Sequence, residues 1–187
     1  MTGLELAVRD VTPVSAKLIP VFLNQYRPQR MSGETLIFRK GSINDVAGLV
    51  RLEKSNYLHP WPEAQIKTNL ILPLSYTFVL DAEGEMVGAI YLFANNVEAF
   101  ILNLSVAKKF RRQGLGRRLL KESIAILKKA GVSSVKLCVR TTNQGAIELY
   151  QGFGFYEIRR VKDYYTDGKK NEDAIEMSLR IKPFGYA

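Results

Sequence analysis

The chain has 187 residues, of which 47% are hydrophobic and 24% charged, a balance typical of one soluble domain with its own core. A single cysteine, Cys138, excludes an intramolecular disulfide, and with a single histidine, His59, it cannot form a Cys/His zinc site, so we expect no metal. The net charge of +9 fits a solvated basic surface, a polyanionic cofactor, an acidic substrate or RNA, and charge alone does not choose among these partners.

The first 30 residues differ from the rest of the chain. They contain three prolines and end in a basic stretch, so we interpret residues 1–30 as an N-terminal extension that is apolar enough to dock on a domain at 31–187. Met31 is an alternative start. Nothing here resembles a signal peptide, and the apolar runs are too short to span a bilayer, so we expect a cytoplasmic protein without a membrane partner.

Hydrophobic periodicity and turn residues predict a regular series of elements. In chain order these are a strand at 35–39, a helix ending near 56, a helix from 62, strands at 75–81, 86–94 and 98–106, a helix at 114–130, a strand at 135–140, a helix at 143–151, and strands at 155–163 and 173–181. The strand, helix and strand within 98–140 form a βαβ unit, which predicts a parallel pair. The fold class is therefore α/β (α+β), with a mixed, mostly antiparallel sheet and helices on both faces.

The first motif that carries chemistry is the loop Arg111-Arg112-Gln113-Gly114-Leu115-Gly116, between a strand and a long helix. The first N–H groups of a helix have no partner within it and point outward at the positive end of its dipole, which favours phosphate. Neighbouring arginines, including Arg117, add cations that suit phosphate oxygens. The loop lacks the third glycine of a dinucleotide fingerprint and the lysine of a P-loop, so it indicates pyrophosphate binding rather than a nucleoside triphosphate site.

The second motif is a short helix with Asn143, Ile147 and Tyr150 on one face, followed by Gly154-Phe155. By itself this pattern is typical of an ordinary amphipathic helix with a core tyrosine. Its position after the first motif, with one helix and one strand between them, is far more specific.

Together the two motifs resemble the GNAT superfamily of N-acetyltransferases over roughly residues 35–181, and within it the ribosomal-protein-alanine and related protein N-terminal acetyltransferases. The residues that carry the closer resemblance are Pro60-Trp61, the run from Arg112 to Arg117, Val139-Arg140 with Asn143, Asp163-Tyr164-Tyr165 and Glu172-Asp173-Ala174. The resemblance implies a GNAT fold whose central parallel pair is splayed, and an acetyl-CoA-dependent direct transfer in a ternary complex.

The resemblance also implies roles for individual residues. Acetyl-CoA would be bound by Leu104, Ser105, Val106, Arg111, Arg112, Gln113, Gly114, Leu115, Gly116, Arg117 and Asn143. Tyr150 would protonate the departing thiolate, which is reasonable because a phenol with a pKa near 10 can donate to a thiolate. The peptide would enter between Pro60-Trp61 on one side and Tyr164-Tyr165 on the other.

The general base is where the sequence departs from the family. Relatives often have Glu or His at the position of Cys138, and others in the superfamily use Glu or Tyr at the position of Phe100. Cys138 could act only as a thiolate, if Lys136 and Arg140 lowered its pKa from about 8.5, and the alternative is that it is a small, partly buried filler. Glu98, on the same strand face as Phe100, is a second candidate, and a base acting through ordered water is a third.

A weak base favours an α-amine as the acceptor. An α-amine with a pKa of about 7.7–8.0 is roughly 10% neutral at pH 7, whereas a lysine amine near 10.4 is about 0.04% neutral. The sequence therefore predicts acetylation of a protein N-terminus, with a ribosomal protein as a partner by resemblance only. The alternatives are a GNAT enzyme for a small amine such as a polyamine, and a non-catalytic acetyl-CoA- or RNA-binding module.

Overall fold

A computed structural model describes the backbone of residues 29–30 and the residues 36–166 and 171–182. The predictions for residues 1–28, including the docking of the extension, and for Met31 lie outside the described residues. The strands are β1 (Gln29–Arg30), β2 (Leu36–Lys40), β3 (Ser75–Ala82), β4 (Glu85–Ala94), β5 (Glu98–Val106), β6 (Ser134–Arg140), β7 (Tyr156–Thr166) and β8 (Asn171–Arg180). The α-helices are α1 (Val46–Asn56), α2 (Glu63–Ile71), α3 (Leu115–Lys129) and α4 (Gln144–Gln151).

From β2 onward these elements confirm the predicted order, whereas β1 was not predicted. The predicted fold class is confirmed as well. The strands form one eight-stranded sheet in the order β1-β2-β3-β4-β5-β6-β8-β7. Among the strands that the structure describes, only β5 and β6 pair in parallel. The other described pairs are antiparallel.

The sheet separates two apolar clusters. The larger one contains the buried residues of α3 and α4, such as Leu119 and Ile147, packed with Leu137 of β6. The smaller one joins Leu49 of α1 and Ile66 of α2 to Tyr91 of β4. Helices therefore cover both faces, with α1 and α2 over the β3–β5 region of one face.

The parallel pair comes apart after four residues. Pairing between β5 and β6 runs from Glu98 opposite Ser134 to Ile101 opposite Leu137 and then stops. At the same point the β4–β5 register shifts, because Tyr91 pairs with Asn103 while its neighbour on β4 pairs with Ile101. Leu102 is thus the extra residue of a β-bulge, which bends and twists its strand. The bulge directs the rest of β5 away from β6 and opens a wedge between them.

The described part of the chain lacks two kinds of feature. No helix there is long and apolar enough to cross a membrane. Residues 36–166 and 171–182 also contain no group of three or more His, Cys, Asp or Glu side chains arranged to hold a metal ion.

Candidate functional site

The wedge exposes backbone groups of β5. Ala107 donates its N–H to the carbonyl of Val87 on β4. Backbone groups alternate between the two sides of a strand, so those of Leu104 and Val106 point the other way, toward the wedge. These are the groups that the sequence assigned to the acyl and pantetheine part of the cofactor, and an extended amide-containing arm can hydrogen-bond to them as a strand would.

The loop before α3 lies at one end of the wedge. Arg112 has φ +63° and Gly114, the N-cap residue of α3, has φ +81°, so two left-handed residues alternate with ordinary ones. Such alternation turns successive N–H groups toward one concave point, which is an anion-binding arrangement. The first turn of α3 adds its own unpartnered N–H groups and the positive end of its dipole. The loop therefore fits a pyrophosphate.

The arginines of this loop have different surroundings. Arg112 is exposed, and the guanidinium of Arg117 lies 5.0 Å from the ring centre of Phe153. Arg111 extends sideways: its Nη2 donates to Asn56 Oδ1 at 2.7 Å, and its Nε donates to the carbonyl of Val106 at 3.2 Å. Arg111 thus connects the loop to the end of α1, a role that the sequence did not indicate.

The start of α4 lies beside the wedge and is capped by Asn143. Its side-chain oxygen accepts from the N–H of Ala146 at 3.3 Å, so the amide nitrogen remains to meet a cofactor arm. Tyr150 is buried against Phe155, with ring centres 5.5 Å apart. Burial raises the pKa of Tyr150 well above its ordinary value near 10, so the phenol keeps its proton at physiological pH. A protonated phenol is the form that can donate to a leaving thiolate.

On the opposite face of the sheet, four polar residues form a network that sequence reasoning missed. Asn103 Nδ2 donates to Glu53 Oε1 at 2.9 Å, and the Tyr57 hydroxyl donates to Asn103 Oδ1 at 2.7 Å. The hydroxyl of Ser105 donates to the Tyr57 hydroxyl at 3.0 Å. The Trp61 N–H reaches Glu53 Oε2 at 3.4 Å. The network fixes the loop between α1 and α2 against β5.

Glu53 is the charged centre of this network. It is 1% exposed, and burial raises its pKa above the ordinary value near 4.5 although its hydrogen bonds oppose this. The sequence did contain a signal for Glu53, because this residue follows Leu49 by four positions and so lies in the apolar stripe of α1. A buried carboxylate needs hydrogen-bond partners, and Asn103 of β5 is one of them.

Ser105 was predicted to bind the cofactor, but its side chain faces this network and is 2% exposed. Its backbone groups point toward β4, in phase with those of Ala107, so neither its side chain nor its backbone faces the wedge. Trp61 packs on Tyr91 with ring centres 5.0 Å apart, and Pro60 precedes it in the same loop. The predicted loop of Pro60 and Trp61 therefore lies over the same face as Tyr57.

The other predicted substrate wall comes from β7. Asp163 has φ +53°, and the β7–β8 register shifts between Val161 and Tyr165, so this edge strand bulges. The bulge brings the Tyr165 hydroxyl to the carbonyl of Cys138, to which it donates at 3.0 Å. Tyr164 packs edge-on against Tyr165, with ring centres 4.8 Å apart. Both tyrosines therefore lie beside β6 where the wedge opens.

Cys138 is the first residue of β6 beyond its pairing with β5, but its thiol is not activated. Burial raises its pKa, and a hydrogen bond with Tyr164 only partly offsets this effect. Lys136 and Arg140, the two cations that could have lowered the pKa, are held by carboxylates instead. Lys136 pairs with Glu98 at 2.8 Å, and Arg140 pairs with Glu172 at 2.5 Å.

Glu98 is poorly placed for a base. Its Oε1 lies 2.8 Å from Lys136 Nζ and accepts from the Ser134 hydroxyl at 3.1 Å. It also begins β5, four residues before the bulge at Leu102, which corresponds to about 13 Å of strand. The structure does not favour Glu98 as the group that deprotonates an amine at the wedge.

Comparison with known proteins agrees with this geometry. Residues 46–155 match the model of the acetyltransferase (GNAT) family. The [ribosomal protein bS18]-alanine N-acetyltransferase of Escherichia coli strain K12 is 36% identical over 139 residues, which cover 73% of this chain and 92% of the relative. The N-alpha-acetyltransferase of Sulfolobus acidocaldarius is 31% identical over 156 residues, covering 76% and 91% respectively.

Solved structures show the same relationship. The crystal structure of the Escherichia coli ribosomal-protein-S18-alanine N-acetyltransferase superposes with a TM-score of 0.74 at 30% identity, covering 81% of this chain and 99% of that one. Ard1 from Thermoplasma volcanium superposes with a TM-score of 0.71 at 26% identity, covering 79% and 99%. The chain therefore belongs to the GNAT family of acetyltransferases.

Proposed function

We propose that this protein transfers the acetyl group of acetyl-CoA to the α-amine of a protein N-terminus, in a ternary complex. The observation that carries the proposal is the continuity of the wedge with two aromatic walls. The backbone edge at Leu104 and Val106 opens between Tyr57 and Trp61 on one side and Tyr164 and Tyr165 on the other. An extended peptide end can reach an acyl group held on β5 from this direction.

The residues fit acetyl-CoA, which supplies the activated acetyl group as a thioester. The loop from Arg112 to Arg117 would hold the pyrophosphate, and the backbone of Leu104 and Val106 with the amide of Asn143 would hold the pantetheine arm. Tyr150 would donate to the sulfur as it leaves. These assignments rest on the left-handed loop, the open strand edge and the protonated phenol.

The acceptor is proposed from the charges around the site. Polyamines and aminoglycosides are cationic and need carboxylates that are available to them. Here Glu53 is buried under Asn103 and Trp61, Glu98 pairs with Lys136, and Glu172 binds both Arg140 and Thr142. An α-amine, part of which is already neutral at pH 7, needs no such acidic cleft.

The two relatives named above support the same acceptor, because both are named for acting on N-terminal or alanine amines. We extend the proposal to an N-terminus that begins with alanine, including that of a ribosomal protein, and to a cytoplasmic location. A non-catalytic acetyl-CoA- or RNA-binding module is not favoured by relatives that are named as enzymes.

The test is acetylation of short peptides followed by mass spectrometry to locate the acetyl group. The panel varies the first residue, starting with alanine, and includes an Nα-blocked lysine peptide and a polyamine. We expect an acetyl group on the α-amine, with the blocked peptide unmodified. Modification confined to lysine or the polyamine would contradict the proposal.

A further inference from the structure

The β6–β8 pair places a carboxylate directly beside Cys138. In the antiparallel register Cys138 lies opposite Glu176, and the pair before it is Leu137 with Met177. Residues directly opposite each other share a face of the sheet, with Cβ atoms about 4.5–5.5 Å apart. Leu137 and Met177 belong to the cluster under α3 and α4, so Cys138 and Glu176 face the other side.

That other side is the one from which an amine would approach. Asn103 and Ser105 of β5 lie on this face and hydrogen-bond to the Tyr57 hydroxyl. Tyr150 lies in the cluster on the opposite face. The proton acceptor for an attacking amine and the proton donor for the leaving thiolate would therefore lie on different faces of the sheet. A base for the amine belongs on the face of Glu176.

We propose that Glu176 is the proton acceptor for the amine, so that the catalytic carboxylate of this chain lies on β8 and not on β6. This inference rests on the proposed function. The amine nitrogen forms the new C–N bond to the acetyl carbon and loses one proton to Glu176, directly or through one water. The C–S bond breaks, and the sulfur of CoA receives a proton from Tyr150.

The groups around Glu176 come from both neighbouring strands. Arg159 of β7 donates from Nε to Glu176 Oε2 at 2.6 Å. Tyr164 and Cys138 are close enough to interact electrostatically with the carboxylate, and Lys136 and Arg140 are its diagonal neighbours on β6. The Glu176 side chain is 17% exposed, against 61% for that of Arg159, so Arg159 reaches Glu176 from the solvent side. Arg159 holds the carboxylate in place.

Three other carboxylates near the site are less suitable. Glu53 is 1% exposed and holds the loop of Trp61. Glu98 lies in the closed part of the parallel pair, and Glu172 contacts Arg140, the last residue of β6, and Thr142 beyond it. Among these four, Glu176 alone lies opposite the first residue of β6 beyond its pairing with β5.

The first test is Glu176→Gln, measured as kcat and KM for an alanine-first peptide from pH 6.5 to 9. We expect kcat at pH 7 to fall about 10²-fold or more, as for loss of a general base. The ratio of wild-type to variant kcat should decrease toward pH 9, because the α-amine is then mostly neutral without a base. Calorimetry should show acetyl-CoA binding within a factor of two of wild type.

Two further variants separate a chemical role from a structural one. Adding Cys138→Glu to Glu176→Ala moves the carboxylate to the neighbouring strand. The double variant should be at least tenfold more active than Glu176→Ala alone. Arg159→Gln breaks the same ion pair but keeps the carboxylate, so it should lose far less activity than Glu176→Gln. Glu157→Gln, on the opposite face where Glu157 pairs with Met177, is the control and should match wild type.

The outcomes are distinguishable. If wild type acetylates no α-amine, the proposed function fails before Glu176 is tested. If wild type is active and Glu176→Gln equals it, or loses activity equally at pH 7 and pH 9, the inference is wrong. A rise in peptide KM with unchanged kcat would assign Glu176 to recognition of the charged N-terminus and would also overturn it.

Discussion

Arg111 donates a 2.7 Å hydrogen bond from its guanidinium to the side-chain oxygen of Asn56, which joins the loop before α3 to the last residue of α1. Tyr57 follows Asn56 and carries the hydroxyl that meets Asn103. The loop that would hold the cofactor and the loop that would hold the peptide are thus linked through two adjacent residues.

Because of this link, we expect the effects of substituting Arg111 and Asn56 not to add. Arg111→Ala and Asn56→Ala should each raise the peptide KM several-fold, because either one frees the end of α1. In a double-mutant cycle on the free energy of unfolding, we expect a coupling of about 1 kcal/mol, the usual range for a hydrogen bond to a charged group at a partly exposed site. Losses that simply add would show that the two residues act independently.

Tyr150→Phe tests the proposed acid. The phenol is protonated at neutral pH and lies beside the wedge, so removing it should lower kcat about 10²-fold while the packing against Phe155 remains. Steady-state kinetics and acetyl-CoA calorimetry should separate a loss in kcat from a loss in binding. Tyr156→Phe, at an exposed position on β7, is the matched control. A Tyr150→Phe enzyme as fast as wild type would remove Tyr150 from the chemistry.

Substituting alanine for each of the two loop glycines, Gly114 and Gly116, should affect stability differently. Gly114 has φ +81°, so Gly114→Ala should cost roughly 1 kcal/mol of stability and weaken acetyl-CoA binding. At Gly116 an added Cβ would lie 3.6 Å from side-chain carbons of Leu104 and Leu149, an ordinary contact. Gly116→Ala should keep the stability of the free protein and still weaken acetyl-CoA binding, because the methyl group faces the mouth of the wedge. Thermal unfolding with and without acetyl-CoA checks both variants, and equal destabilisation by the two would contradict the prediction.

Glu53 gives a pH-dependent prediction. Burial raises its folded pKa above 4.5, so near that pH the folded state binds more protons at this site than the unfolded state does. Its contribution therefore favours the folded state at low pH and declines as the pH rises from about 4.5 through the raised value. The free energy of unfolding of wild type minus that of Glu53→Gln should fall across this window and then level off. Urea unfolding at several pH values measures it, and a difference that rises with pH would refute the assignment.

Local signals predicted much of this structure. Gly114 and Asn143 were placed at helix starts from their residue types, and both are N-cap residues. The network around Glu53 could not be located, because its partner Asn103 lies 50 residues away and the pairing depends on how α1 crosses the sheet. The surroundings of the Cys138 thiol could not be predicted for a similar reason. Its cationic neighbours are paired with Glu98 and Glu172, which come from other strands.

The bulge at Leu102 has a consequence for the stability of the protein between catalytic cycles. Beyond the bulge, the edge of β5 that faces β6 has no partner strand. Unpaired strand edges are sites where sheets associate with other chains. An extended pantetheine arm would lie there as a ninth strand, so the ligand would complete the architecture as well as supply the acetyl group. The amide hydrogens of Leu104 and Val106 should then exchange rapidly in the free protein, and acetyl-CoA should protect them and reduce aggregation on storage.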